Sequence, residues 1–471
     1  MREETGPAGP LLNRIFMWLC LAAFSMLAAA FLSADCAGLL PAALCALLLG
    51  LFFLFCKYAV PCLEKLPAKR ISLCFYILLA LWLALSLVYA ASYVDGLTPR
   101  GDYEAIHTGV KEAVEFGHLT DSNPYFLRYS HQRGTLALLS AYFYILQRLG
   151  ICATVDLFAG AVLVRLGAAL AAALSYAALK RVWGAPGALA ASLLLLSCPP
   201  FFTACTYYSI SLGLPFAAAG LRLYITARGC EGGRLKKAAL FALDGAVWAA
   251  GAVVSGTVYV LIAAVLIHLF LTSGFKRFLP RIAALALGFA LLLGCFNLFI
   301  RHSGIMDFTN EQKELLPLGY WLMVAVKDEG LYNEEDYQTI VSLPDYEARV
   351  EYTRGELKRL LGEMSLGDFL KLAWTKTRLT WTAAGYSGSP PQGLSASYRA
   401  AWGSALSLIM LFGALRFFKA PPAAHTLWLL SGFGLVLFFF IWEAKPGALL
   451  TVYPVLSGFG ALAAQKKARP L

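Results

Sequence analysis

Thr135-Leu-Ala-Leu-Leu-Ser-Ala-Tyr-Phe-Tyr-Ile-Leu-Gln147 is strongly apolar, yet too short to be an obvious bilayer crossing. A helix needs about 20 apolar residues to span a hydrocarbon core about 30 Å thick. Whether this stretch crosses decides on which side of a membrane everything after it lies. Longer apolar runs flank it, at roughly 15–34, 38–57, 71–92, 154–179, 184–204, 207–227, 238–254, 256–274, 282–300, 400–418, 424–442 and 448–465. Basic residues decide the matter, because cytoplasmic loops carry an excess of Lys and Arg. With Arg2 and Arg14 inside, the loop bearing Lys57, Lys65, Lys69 and Arg70 is also inside, and 93–134 is outside. If 135–147 does not cross, five further clusters fall inside: Lys180/Arg181, Arg228/Arg234/Lys236/Lys237, Lys276/Arg277/Arg281, Arg416/Lys419 and Lys466/Lys467/Arg469. If it crosses, all five fall outside.

The sequence therefore predicts an all-α integral membrane protein of about twelve transmembrane helices, with both termini cytoplasmic and 135–147 an interfacial or re-entrant helix. Three N-terminal spans occupy 1–92, and a first external loop with interfacial helices 93–150. A transmembrane core fills 151–301, a mainly helical extracytoplasmic segment 302–398, and the last spans 399–471. Composition agrees: 59% of residues are hydrophobic and 14% charged, and mean hydropathy is +0.66, which leaves too few charges for a soluble protein's surface. The net charge of +11 fits basic loops beside anionic lipid better than a nucleic-acid partner. Phe16–Ser33 has no small-residue cleavage site after it and reads as a retained anchor. Nearly all of the 11 cysteines lie in or near apolar runs, and none in 93–133 or 302–398, a pattern of apolar packing and not of a disulfide framework.

The external segments carry the polar signals. An amphipathic helix is expected from Tyr103 to about Phe116, with Asp102 before it and Gly117 ending it. Its stripe of Ile106, Val110, Ala113 and Val114 suits a membrane surface. Farther on, Asn333-Glu-Glu-Asp336 reads as a helix start, and Ser365-x-x-Asp368 as a capping box opening a helix over Phe369–Thr380. Trp374, Trp381, Tyr386 and Trp402 suit an interfacial aromatic belt. No internal repeat is visible.

Candidate chemistry sits in three places. In Pro99-Arg-Gly-Asp102-Tyr-Glu104, Asp102 can cap a helix, act as a general base at the membrane surface, or do both. Glu104 is a second candidate; two residues on along a helix it points to another side, which argues against a metal pair. In Asn123-Pro-Tyr-Phe-Leu-Arg128-Tyr129-Ser-His131-Gln132-Arg133-Gly134, the arginines offer forked donors to a phosphate or sugar, or to lipid headgroups. Tyr129, His131 and Gln132 stand with them as candidate substrate contacts, while the spacing of His107, His118 and His131 matches no metal site. In Trp442-Glu443-Ala-Lys445-Pro446, two charges at the external end of a span are costly unless paired or functional. Asp244, inside a span, reads as structural, either reaching the cytoplasmic interface or paired there.

These motifs in this order resemble the GT-C class of membrane glycosyltransferases, which includes protein O-mannosyltransferases and the lipid A aminoarabinose transferase, and most of all a Firmicutes group. The resemblance covers about 95–460. It rests on Asp102 with its helix; on Tyr125-Phe-Leu-Arg-Tyr-Ser-His-Gln-Arg-Gly134, similar to Tyr-Phe-x-x-Tyr-Pro-x-x-x-Gly; on Gly330-Leu-Tyr-Asn333-Glu-Glu-Asp336, similar to Gly-x-Tyr-Asn-x-x-Asp; on Lys376 to Trp381; and on Glu443-Ala-Lys-Pro446. The chain departs from the group at Ile210, Ser255 and Gly447-Ala448, where polar or charged groups are usual. The resemblance implies transfer of a hexose or pentose from a polyprenyl-phosphate carrier to an extracytoplasmic glycan, lipid or protein, with Asp102 as base, Arg128, Arg133 or Lys445 at the phosphate, and neither metal nor cofactor. Two rival readings are a flippase for a lipid-linked sugar and a non-catalytic envelope scaffold. A flippase would string polar residues along the spans, where Asp244 and Asn297 are among the few.

The topology is directly testable. Single cysteines placed in 302–398 of a cysteine-free chain should react with a membrane-impermeant maleimide on intact cells; reaction only after permeabilisation would reverse the assigned orientation.

Overall fold

The computed structural model describes residues 10–120, 123–382, 393–418, 423–444 and 446–464, and every regular element among them is helical. The longer helices are α1 (Pro10–Ala34), α2 (Leu39–Leu54), α3 (Ala68–Val94), α4 (Asp102–Glu115), α5 (Arg133–Arg148), α6 (Leu157–Leu196), α7 (Leu214–Arg228), α8 (Arg234–Val254), α9 (Val258–Thr272) and α10 (Phe275–His302). There follow α11 (Leu318–Val326), α12 (Glu334–Val341), α13 (Tyr346–Glu363), α14 (Leu366–Trp381), α15 (Gly393–Arg416) and α16 (Ala423–Ile441).

Among the described residues, eight helical stretches are long and apolar enough to cross a membrane: Arg14–Ala34, Leu39–Leu63, Ala68–Val94, Leu157–Leu196, Ser209–Arg228, Arg234–Val254, Phe275–His302 and Gly393–Arg416. Three shorter apolar helices accompany them, Val258–Thr272, His425–Ile441 and Leu449–Ala464. This is a multi-pass membrane protein. Two of the twelve expected runs, 154–179 and 184–204, meet within the 40 residues of α6. Gly184 breaks that helix with φ 74° and ψ 173°, and Pro186 lies just beyond it. A left-handed φ favours glycine, and proline removes an amide donor, so the bend falls where the sequence can bear it.

Packing between spans relies on small residues. A Cβ on Gly245 of α8 would lie 1.9 Å from the Leu285 carbonyl oxygen, and one on Gly288 of α10 would lie 1.8 Å from that of Ala242. The two backbones therefore touch, which is how helices gain dispersion energy where lipid supplies no hydrophobic drive. Asp244, beside this contact, is fully buried. The main core holds Trp183, Trp248, Trp428, Tyr176 and Phe75.

The external elements differ from expectation in instructive ways. Gly101, at φ 57° and ψ −132°, takes the cap position, so Asp102 is the first residue of α4 and not its cap. Ile106 and Val110 are fully buried and pack with Phe126, Leu136, Leu139 and Phe143. The apolar stripe of α4 thus covers α5 instead of lying on lipid. α5 does not qualify as a span: its start abuts α8, with the Thr135 hydroxyl donating to the Val254 carbonyl at 3.2 Å, while Tyr144 and Ile145 near its end are exposed. Asn333 caps α12 by accepting from the amides of Glu335 and Asp336. Ser365 and Asp368 form the capping box of α14, which begins three residues ahead of Phe369. Trp381 and Trp402 are buried and so do not form a belt; Tyr386 lies outside the described residues.

Gly288→Leu should push α8 and α10 apart and destabilise the chain by at least the ~1–3 kcal/mol of ordinary overpacking. Gly294→Leu on the same helix, where nothing lies within 4 Å, should be tolerated. Thermal midpoints of the two detergent-solubilised variants, read by size-exclusion chromatography, would separate them.

Candidate active site

Asp102 is half-buried. One carboxylate oxygen, Oδ2, accepts a hydrogen bond of 2.8 Å from the Tyr208 hydroxyl. Its place in the first turn of α4 also puts it in the field of the helix's exposed amides, which favours the anion. Tyr208 is itself held in place. Gln132, nearly fully buried, donates through Nε2 to the Tyr208 hydroxyl at 3.4 Å and to Ser209 Oγ at 3.3 Å. The Tyr125 phenol lies beside Asp102. Burial foremost, and then the Asp102 charge, raise its pKa, so it stays a neutral donor. Tyr129 is raised for the same leading reason, with Tyr337, Asp102 and Tyr320 adding to it. Phenols from residues far apart in sequence thus converge on one carboxylate.

The two arginines expected to bind phosphate are already engaged. Arg128 pairs with Glu314 at 2.7 Å and donates to the Tyr337 hydroxyl at 2.9 Å. Arg133 pairs with Glu311 at 2.8 Å and donates to the Phe126 carbonyl, while Arg301 holds the other Glu311 oxygen. These contacts tie the first external segment to the second. Both arginines are well covered, so removing either partner would leave a charge without its counterpart.

A row of aromatic rings leads away from Asp102. Tyr125 lies 4.6 Å from Tyr129, Tyr129 5.7 Å from Trp321, Trp321 6.0 Å from Trp442, and Trp442 5.5 Å from Phe438, centroid to centroid. The last two steps are stacked, at 15° and 18°. The exposed His131 ring borders Tyr129 and Trp321. Half-buried Glu443 follows Trp442, close enough to Tyr320 and Lys376 to raise the pKa of each. Lys445 lies outside the described residues.

Lys376 is the residue whose role sequence reading missed. Its ammonium is buried and donates to the carbonyls of Ala325 and Phe440, each at 2.8 Å. Those carbonyls belong to the last turns of α11 and α16, so one cation caps two helix C-termini. Burial lowers its pKa to about 8, against the pull of Glu443. Its stem fills the space over Gly330, whose carbonyl accepts from Ala444 N at 2.7 Å. A signal existed: Lys376 shares the buried face of α14 with Ala373, Thr377 and Thr380.

Glu104 faces elsewhere than Asp102. It lines an open cavity of about 290 Å³ with Gly101, Ala105, Thr108, Glu112 and Asn123. Two of the three departures noted in the sequence, Ile210 and Ser255, meet at Thr451. The Thr451 hydroxyl donates to the Ile210 carbonyl at 2.6 Å and stands 3.5 Å from Ser255 Oγ, which is 2.9 Å from Thr257 Oγ1. Neutral hydroxyls occupy the place where the resemblance implies charge.

Lys376→Met leaves two helix ends uncapped and should cost about 1.5–3 kcal/mol, the range for hydrogen bonds to a charged group. Lys371→Met, on the exposed face of the same helix, should change the thermal midpoint little. Equal midpoints for the two variants would remove Lys376 from this bracing role.

No family model matches the chain, and no curated protein matches it in sequence. Several solved structures are similar to it, among them these two. ArnT from Cupriavidus metallidurans bound to undecaprenyl phosphate aligns with a TM-score of 0.36 and 14% identity, over 80% of this chain and 77% of that one. The archaeal oligosaccharyltransferase AglB from Archaeoglobus fulgidus, in complex with an inhibitory peptide and a dolichol-phosphate, aligns with a TM-score of 0.44 and 14% identity. That alignment covers 81% of this chain, which spans half the length of AglB.

Proposed function

We propose that the chain is a glycosyltransferase that moves a hexose or pentose from a polyprenyl-phosphate carrier to an extracytoplasmic glycan, lipid or protein, with inversion. The observation that carries this reading is the Asp102 carboxylate, held by the Tyr208 phenol at the start of α4, a helix that the reading puts on the outer side. A carrier lipid needs its reacting phosphate at the membrane surface, and the acceptor arrives from water. In this reading Asp102 takes the proton of an acceptor hydroxyl. The acceptor oxygen attacks the anomeric carbon, and the bond to the phosphate breaks with its electron pair leaving on the polyprenyl phosphate. Tyr208 fixes the direction in which the carboxylate points. The leaving phosphate requires cations. Arg128 and Arg133 would serve by exchanging or sharing Glu314 and Glu311, and Lys445 is the third candidate. The reaction so written needs no cofactor.

Asp102→Asn keeps the shape and removes the basicity. It should fold, bind the lipid donor as the native chain does, and lose transfer by roughly 10²–10⁴-fold. Glu104→Gln should transfer normally. A native rate in Asp102→Asn together with a loss in Glu104→Gln would move the base to Glu104. Full activity in both would overturn the mechanism.

A further inference from the structure

At the end of the bundle away from Asp102, four helices meet in a cluster of arginines. α7 and α9 finish there, and α8 and α10 begin there; the opposite end of α8 abuts Thr135. α10 opens Phe275-Lys276-Arg277, with no acidic residue in its first turn and no side chain capping it. Arg281 reaches back to the same point and donates through Nη1 to the Ser273 hydroxyl at 2.8 Å. Arg228, the last residue of α7, donates to the Thr272 hydroxyl. Arg228 and Arg277 both stand close enough for their charges to act on Arg281, and like charges repel. A helix N-terminus itself carries roughly half a positive charge, so the start of α10 adds to the repulsion. Among the described residues no carboxylate pairs with Arg228 or Arg281. Asp244 is within reach of nearby Tyr224, yet both its oxygens are buried without a partner among the described residues. The cluster calls for an anion from outside the chain.

The place is open to one. Arg228 and Arg281 are half-buried and Arg277 is exposed. A Cβ added to Gly274, which precedes α10, would meet nothing within 4 Å. Its rim is apolar. Phe270 and Phe275, exposed at 46% and 67%, flank the turn over 272–274, and Leu279 continues the exposed apolar surface along α10. The Phe270 ring meets Phe278 at 5.4 Å, which ties α9 to α10 beside the turn. The occupant therefore needs oxygens that accept from forked guanidinium donors, and an apolar body to lie along the helices. A free phosphate has the first and lacks the second. A zwitterionic headgroup would bring a cation of its own among cations. A lipid with a net negative headgroup has both features, and basic pockets between spans are suited to such headgroups. We propose that an anionic glycerophospholipid seats its phosphodiester at the start of α10, between Arg228 and Arg281. Arg277 stands at its rim, and its acyl chains run along Phe270 and Leu279. The site lies at the end of the bundle opposite the Asp102 chemistry and does not rest on it.

Native mass spectrometry of the full chain, purified in detergent and titrated with phosphatidylglycerol, tests the site. The native chain should retain one phosphatidylglycerol at a concentration about tenfold below that needed for phosphatidylcholine. Arg228→Gln and Arg281→Gln should each weaken that retention by roughly tenfold, the loss expected of a hydrogen bond to a charged group. Arg277→Gln changes an exposed side chain, so the fold should survive, and retention should weaken by about threefold. The double variant Arg234→Gln/Lys236→Gln removes two exposed charges from the start of α8 at the same end. Solvent screens such charges, so retention should change there by less than about twofold. Equal retention of the two lipids, undiminished retention in all three arginine variants, or an equal loss in the α8 double variant overturns the site. Displacement of the lipid by inorganic phosphate at equal concentration assigns the cluster to a bare anion and overturns the proposal too. Polyprenyl phosphate binding is measured on the same samples and should be unchanged in Arg281→Gln. Its loss there would give the arginines to a carrier lipid and overturn the proposal as well. The transferase reading stands or falls separately, on Asp102→Asn.

Discussion

A bilayer core offers backbone amides and carbonyls no partner but each other, and a helix is the one local way for a chain to satisfy all of them. Most of this molecule obeys that constraint directly, in long apolar helices such as α1, α3, α6, α8 and α10. Irregular backbone is then pushed to the ends of spans, where water or protein can complete it. The non-helical residues that matter here lie at such places: Gly101 before α4, the turn at 204–208, Ser255 between α8 and α9, and the segment after α16. Polar side chains gather there because their backbones are already free to turn.

The same constraint explains why the external helices are braced by charge. The segments before α5 and after α10 share the apolar clusters around Ile106 and Tyr320. Arg128 and Arg133 join them through Glu314 and Glu311, and Lys376 joins α11 to α16 by capping both. Covered ion pairs contribute little net stability but tolerate few alternative partners, so they set the register of one segment on the other. Tyr125, Tyr129 and Tyr208 stand around Asp102. Arginines which the chain could have offered to a phosphate are instead held in the frame, and a phosphate that reached them would have to compete with glutamates at 2.7–2.8 Å.

Several features were legible in sequence because they are local. Hydropathy over a window reports burial in lipid, and eight helical stretches among the described residues are long and apolar enough to cross it, against twelve expected runs. The caps at Asn333 and Ser365 are set by residues within three positions of one another, and both appear where their side chains predict. The stripe on α4 was read correctly as a face, but its partner was not: periodicity says that one side of a helix is apolar, and protein and lipid satisfy that side equally well. The tryptophans at 381 and 402 fail as a belt for the same reason, since an aromatic near the end of a span can turn outward to the interface or inward to the core.

By itself, then, the sequence determined the membrane class, the helical caps at Asn333 and Ser365, and Asp102 as a carboxylate at the opening of a helix. Each follows from near neighbours along the chain. Tertiary structure alone decided that Asp102 meets Tyr208, that Arg128 meets Glu314, that Lys376 is buried under Gly330 between two helix ends, and that rings from 125, 129, 321, 442 and 438 form one row. Those contacts join residues from 4 to 192 positions apart. Their energies depend on distances and on the exclusion of water, and neither exists until the helices have packed.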